Sequence, residues 1–195
     1  HGKVEKQDMQ GKTILPGMTD AHIHIQHYAL FLVKIDCETP TKEECLRRVA
    51  ERGKKAKPGE WILGHGWNQN EWSIGGEWPN ATELDLIAPN NPVYLTAKSL
   101  HAAWANTSAL NRANITNDTS DPKDGKIQRD ENNRATGILL ETAMQLVDNE
   151  IPEPSFEEIS NAIEKAQPIL WKMGLTGIHD FDRRDSFMAL QHLHA

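Results

Sequence analysis

A chain of 195 residues with 38% hydrophobic residues can bury a sizeable core and is read as one or two domains. Its 21 Lys and Arg stand against 28 Asp and Glu, a formal net charge of -7, which argues against a phosphate-tracking surface and so against nucleic acid as a partner. No window approaches the roughly 20 apolar residues of a membrane span, the charged first dozen residues do not form a secretory signal, and two cysteines, Cys37 and Cys45, demand no pairing; a cytoplasmic protein with no membrane partner is expected.

His1 to Lys12 is polar, with a turn signal at Gln10-Gly11. An apolar run follows from Ile14 to Ile25, punctuated by Pro16-Gly17 and carrying His22 and His24 near its end. Side chains alternate along a strand, so His22 and His24 leave one side together, with Asp20 in line behind them. Two imidazoles at that spacing can hold a metal at about 2.0–2.1 Å without a loop having to order itself. By spacing alone, such a pair is more often two partly exposed histidines than a ligand pair.

The segment GKTILPGMTDAHIHI resembles the first barrel strand of the amidohydrolase superfamily. Four further stretches, PGEWILGHGWNQNEW, NPVYLTAKSLHAAWANTSAL, ATGILLE and MGLTGIHDFD, resemble the branch typified by N-substituted formamide deformylase and the YtcJ-like proteins. The resemblance covers about Asp8 to Asp182. It implies a metal-dependent hydrolase with His22 and His24 as the first two ligands, and a tail, residues 1–13, belonging to a small β-domain built from both chain ends. Beyond Ala195 it implies a lysine, two histidines and an aspartate that complete the site and supply the acid/base group; no catalytic residue can be placed on this sequence. Zinc is the first expectation for imidazole donors, with iron, manganese and nickel open. The implied reaction is hydrolysis of a C–N bond in a small amide or formamide-like substrate by metal-activated water.

After His24, the apolar stretch His27 to Val33 predicts a short buried helix. Thr41 to Glu44 reads as a capping box opening a helix with Cys45, Leu46, Val49 and Ala50 on one face, stopped around Gly53. Trp61-Ile62-Leu63 is a strand leading into a Gly64-His65-Gly66-Trp67 turn. Tryptophans 61, 67, 72 and 78 could form a stacking platform for a ligand or fill a core poor in other large apolar groups, the second being the favoured reading. Asn80 to Glu83 caps a short helix closed by Pro89, Pro92 to Thr96 is a strand, and Leu100 to Arg112 reads as helix. Lys126-Ile127-Gln128 and Ala135-Thr136-Gly137 flank a polar loop and suit a hairpin. Helical structure is expected to resume at Ile138, and again after the capping box Ser155 to Glu158, with a kink at Pro168 and a stop at Gly174. Leu175 to Phe181 is the last strand.

Strand, helix 156–173 and strand 175–181 make a βαβ unit whose crossover carries an inserted α/β domain, residues 36–135. The fold class expected is α/β: a partial β/α barrel, residues 14–35 and 136–195, interrupted by that insertion. About 95 residues remain outside the insertion, against the roughly 200–250 of a closed barrel, so only the first strands can be present and the chain alone should be inactive. Its open edges favour self-association, so a homo-oligomer is possible. His179-Asp180 points toward the same barrel mouth, whereas His192 and His194 on a helix splay apart. On the substrate side the resemblance singles out His101, Trp104 and Glu141, each of which also has a purely structural reading. The alternative to an enzyme is a non-catalytic binding or regulatory module with a tryptophan-rich, ligand-stacking insertion.

Overall fold

The computed structural model describes residues 4, 6–72 and 76–194. The element order is β1 (Met18–Ile23), α1 (Ile25–Val33), β2 (Ile35–Asp36), α2 (Lys42–Gly53), β3 (Ile62–Trp67), α3 (Gln69–Trp72), α4 (Ala81–Ile87), β4 (Val93–Ala97), β5 (Ala102–Ala105), α5 (Thr107–Arg112), β6 (Gly125–Arg129), β7 (Ala135–Glu141), α6 (Gln145–Asp148), α7 (Phe156–Lys172), β8 (Leu175–Asp180) and α8 (Arg184–His194). These fall into two compact units, His1–Leu30 with Ser155–Ala195, and Phe31–Pro154. No described helix is long and apolar enough to cross a membrane.

In the first unit β1 pairs in parallel with β8, Met18 opposite Leu175 and Ile23 opposite Asp180. Parallel strands need a crossover, and the return runs through α7. That helix opens on a complete capping box between Ser155 and Glu158, runs through Pro168 and gives way to Gly174 at φ +83°. Its buried residues Ile159, Ala162, Ile163, Ala166 and Leu170 recur at helical spacing and meet Ile25, Ala29 and Ala189 in one core. The expected strand from Ile14 is shorter: Ile14 and Leu15 are exposed, and pairing begins at Met18, after the proline that has no N–H to give a ladder. The helix expected at 27–33 forms, but only Ile25 and Ala29 are buried, while Phe31, Leu32 and Val33 are exposed. Of the tail assigned to a small β-domain, residues 1–3 and 5 lie outside the described residues, and residues 4 and 6–13 form no strand.

The second unit is built on a six-stranded mixed sheet in the order β2-β3-β4-β5-β7-β6. Strands β2, β3 and β4 are mutually parallel, and β4, β5, β7 and β6 alternate in direction. Runs such as Val93-Tyr94-Leu95 and Ile138-Leu139 are apolar at every position because both faces are covered. Val93, Leu95, Trp104 and Ile138 pack with Cys45, Val49 and Leu84 of α2 and α4 on one face. Tyr94, Ala103, Ala105 and Leu139 pack with Ala109, Leu110 and Val147 of α5 and α6 on the other.

Several sequence expectations change here. Residues 100–105 are not helical. Ala102–Ala105 form β5, wedged between β4 and β7, and the helix starts only after Asn106, whose side chain accepts from the Ala109 N–H. Tertiary pairing overrides the helix preference of three alanines. Likewise Ile138 to Glu141 continue β7, and the compact unit runs to Pro154 rather than 135 because Leu139, Ala143 and Val147 belong to its core. Gly64 to Trp67 extend β3 instead of turning; a Cβ at Gly64 would meet Leu95 at 2.7 Å and Cys37 Sγ at 3.0 Å, so glycine serves close packing. Thr41 accepts from the Glu44 N–H as expected, but the Glu44 carboxylate takes Arg47 and Arg48 instead of closing the box, and those hydrogen bonds hold its pKa down to about 2.

Gly137 sits at φ +99°, and a Cβ there would come within 2.4 Å of the Ala105 carbonyl oxygen and 2.9 Å of Ala81. Gly137→Ala is expected to lower unfolding free energy by about 3 kcal/mol. Gly59→Ala, at φ +80° but meeting only the Arg112 guanidinium tip, should cost about 1 kcal/mol. Urea midpoints of the two variants measure the difference.

Candidate metal centre

The segment following β1 enters α1 with no acidic residue of its own in the first turn, so the helix's leading N–H groups need partners from elsewhere. Both come from the end of β8. Asp180 Oδ1 accepts from the Ile25 N–H at 3.1 Å, and Asp182 Oδ2 accepts from the Gln26 N–H at 2.6 Å. Asp180 Oδ2 also takes the Ser186 hydroxyl at 2.7 Å. Two carboxylates at a helix N-terminus are favoured by the helix dipole as well as by the hydrogen bonds.

His24 occupies the cap position between strand and helix, its carbonyl accepting from the Tyr28 N–H at 2.9 Å. The second oxygen of Asp182, Oδ1, lies 3.2 Å from His24 Nδ1 and 3.1 Å from His27 Nδ1. Asp182 is nearly inaccessible, its side chain 4% exposed, while the two histidines are 47% and 78% exposed. His22 stands beside His24, ring centroids 5.4 Å apart, and lies flat against Phe181 at 4.0 Å and 8°. Asp20, in line behind, accepts from the His22 backbone N–H at 2.9 Å. His22 and His24 are therefore neighbours, although β1 ends at Ile23 and His24 lies one residue past it.

A carboxylate facing Nδ1 holds the imidazole proton there and leaves Nε2 free as a donor, the tautomer that a metal ligand needs. His24, His27 and Asp182 also offer donor atoms within 4.8 Å of one another, a group able to hold an ion directly. Sequence reasoning missed His27 and Asp182. The signals were present: His27 is one helical turn from His24, and Asp182 repeats Asp180 across Phe181. His179 is exposed and outside that group, and His192 and His194 fall in the last turn of α8, where His192 meets the Phe156 ring.

Of the substrate-side candidates in the second unit, two are brought together. His101 Nδ1 is 3.0 Å from Glu141 Oε2, both side chains more than half exposed. Glu141 adopts φ +52° and ψ -128°, and Leu100 beside His101 adopts φ +65°. Trp104 is not available to a ligand: it is fully buried and donates its indole N–H to the Asn80 carbonyl at 2.8 Å, so its structural reading holds. Neither His101 nor Glu141 lies in a helix; His101 directly precedes β5 and Glu141 ends β7, strands that the sequence pattern had disguised.

The pattern of an amidohydrolase family matches residues 5–195. The chain belongs to the amidohydrolase family. It is 36% identical over 177 residues to the protein LONG AFTER FAR-RED 3 of Arabidopsis thaliana, covering 90% of this chain and 30% of that protein. It is 30% identical to the putative amidohydrolase YtcJ of Bacillus subtilis (92% of this chain, 34% of that protein) and 33% identical to N-substituted formamide deformylase of Arthrobacter pascens (91% and 34%). These place it in the YtcJ-like branch. Among solved structures it is similar to an uncharacterised metal-dependent hydrolase of Pyrococcus horikoshii, with a TM-score of 0.65 and 28% identity over 91% of this chain and 33% of that one. The chain thus spans about a third of the length of these amidohydrolase relatives.

In this amidohydrolase chain the left-handed Glu141 carries a backbone cost of about 1–3 kcal/mol, which its exposed contact with His101 offsets only weakly. Glu141→Gly is expected to raise the thermal midpoint by releasing that cost. A lower midpoint would show the His101 contact to be worth more than the strain.

Proposed function

We propose that this chain is the N-terminal part of a metal-dependent amidohydrolase that hydrolyses the C–N bond of a small amide or formamide-like molecule. The observation that carries the reading is the buried Asp182 carboxylate set against His24 Nδ1, which gives an exposed histidine beside His22 the orientation of a metal donor. Support comes also from placement. His24 and Asp182 directly follow the C-terminal ends of two parallel strands, where βα loops build active sites in β/α barrels, and β1 and β8 are read as the first strands of such a barrel.

His22 and His24 would hold the ion, zinc being the first choice for two imidazoles. When bound, a divalent ion supplies Lewis acidity toward the scissile carbonyl and acidifies water. The residues of this chain orient that chemistry. Asp182 holds a proton at His24 Nδ1, Phe181 fixes the plane of the His22 ring, and Asp180 ties the start of α1 to the end of β8 so that neither histidine drifts. His101 and Glu141 are proposed as substrate-side polar groups of the inserted unit. A second reading, a binding module without catalysis, is favoured by the open face of Trp78 in that unit.

Elemental analysis and an amidase assay on the full-length protein test the reading. The double change His22→Ala, His24→Ala should abolish both metal content and hydrolysis, while His192→Ala, His194→Ala should preserve both; unchanged metal in the first variant would sink the proposal. Asp182→Ala should weaken metal affinity about 10–100-fold, measured by competition with a chelator, and His27→Ala should leave it near the wild-type value. If His27→Ala proves as damaging, the ion sits among His24, His27 and Asp182 instead. The 195-residue chain alone, with two histidine donors and no placed acid or base, should show no turnover above free metal.

A further inference from the structure

The second unit carries a polar cavity that the hydrolytic reading leaves unused. It has a volume of about 320 Å³ and opens beside the C-terminal ends of β3 and β4, where Trp67 pairs with Ala97. In sheets with parallel strands the crevice outside the carboxyl ends of the strands is the usual ligand site. The same sheet edge holds the start of β5 and the end of β7, Ala102 standing opposite Leu140. It therefore also gathers the left-handed residues Leu100 and Glu141.

The lining is specific in kind. Trp78, 39% exposed, stands edge-on to the buried Trp67 at 6.0 Å and 78°, which fixes the plane of its ring. Asn68, Gln69, Asn70 and Ser99 supply amides and a hydroxyl, each able to donate and accept. Asn68 already gives one hydrogen to Glu71 at 3.1 Å and accepts the Asn70 N–H at 3.2 Å, and Ser99 accepts the His101 N–H at 3.3 Å, which leaves the second amide hydrogen of Asn68 and the Ser99 O–H for a guest. Among the described residues Lys98 is the one cation of the lining, and it is compensated by Glu38 at 2.5 Å and Glu71 at 3.7 Å. A compensated lysine does not select an anion. An aromatic guest would strip water from three amides and return no hydrogen bonds to them.

We propose that this cavity binds a neutral polyhydroxylated ring, a pyranoside, laid by its C–H face against Trp78 with its hydroxyls bonded to the three amides and Ser99. The volume lies at the lower end of the range for small-molecule pockets and suits a single ring. The test reads binding to the second unit and does not depend on hydrolysis.

Saturation-transfer NMR on the full-length protein, without added metal, reads the contact directly, with methyl β-D-glucopyranoside, methyl α-D-mannopyranoside and N-acetylglucosamine as probes and benzamide and glucuronate as comparisons. Transfer to ring C–H protons of at least one neutral pyranoside is expected, weakened about tenfold by Trp78→Ala and reduced by Asn70→Ala, with far-UV circular dichroism unchanged. Should Trp78→Ala misfold, Asn70→Ala and Gln69→Ala decide. No transfer to any neutral pyranoside at tens of millimolar, preference for benzamide or glucuronate, or binding indifferent to the substitutions would each overturn the proposal.

Discussion

The first unit depends on two carboxylates reaching across from one strand end to the other. Asp180 and Asp182 satisfy the first two N–H groups of α1, a helix that brings no acidic cap of its own. Leaving such donors buried without partners costs on the order of 1–3 kcal/mol each, so the carboxylates join the β1–α1 turn to the end of β8. His24 lies inside that turn. Its position is a by-product of helix capping, and the remaining oxygen of Asp182 turns the by-product into an oriented imidazole. One residue thereby serves the fold and the site.

The second unit has a different logic. Its sheet is covered on both faces, which lets small residues occupy the central strand β5 and lets Gly64 and Gly137 sit where any side chain would collide with a neighbour. Most of its aromatic residues are spent on this packing: Trp67 and Trp104 are wholly buried, and Trp72 packs against both. Among the tryptophans of this unit, Trp78 is the exposed one. The core-filling reading of the tryptophans is right for the group and incomplete for one member.

What the sequence disclosed follows from how local each signal is. Capping at Asn80 and Ser155, the face of α7, the hairpin of the strands holding 126–128 and 135–137 and the closeness of His22 to His24 are set by neighbours within a few residues, and they are as the pattern suggests. Strand β5 and the latter half of β7 were hidden because Ala102-Ala103-Trp104-Ala105 and Ile138-Leu139-Leu140 are apolar in both readings, and what makes them strands is the strand alongside. Asp182 was hidden for the same reason at longer range. The Asp180-Phe181-Asp182 spelling marks residue 182 as worth notice but does not name residues 24, 26 and 27 as its partners. The Trp104 side chain shows the converse, a motif residue whose neighbours leave it no access to solvent.

The pairing of Met18 with Leu175 carries a consequence for how the protein is made. Roughly 150 residues separate the two strands, and at ribosomal speeds of about 5–20 residues per second the first strand waits on the order of ten seconds or more for its partner. The whole of Phe31–Pro154 emerges in that interval with both faces of its own sheet ready to close. Until Asp180 and Asp182 leave the ribosome, the α1 N-terminus has no cap and the His24 ring no anchor. His22 and His24, made early, are therefore among the later parts of this unit to acquire their surroundings, after the whole of Phe31–Pro154 has been synthesised.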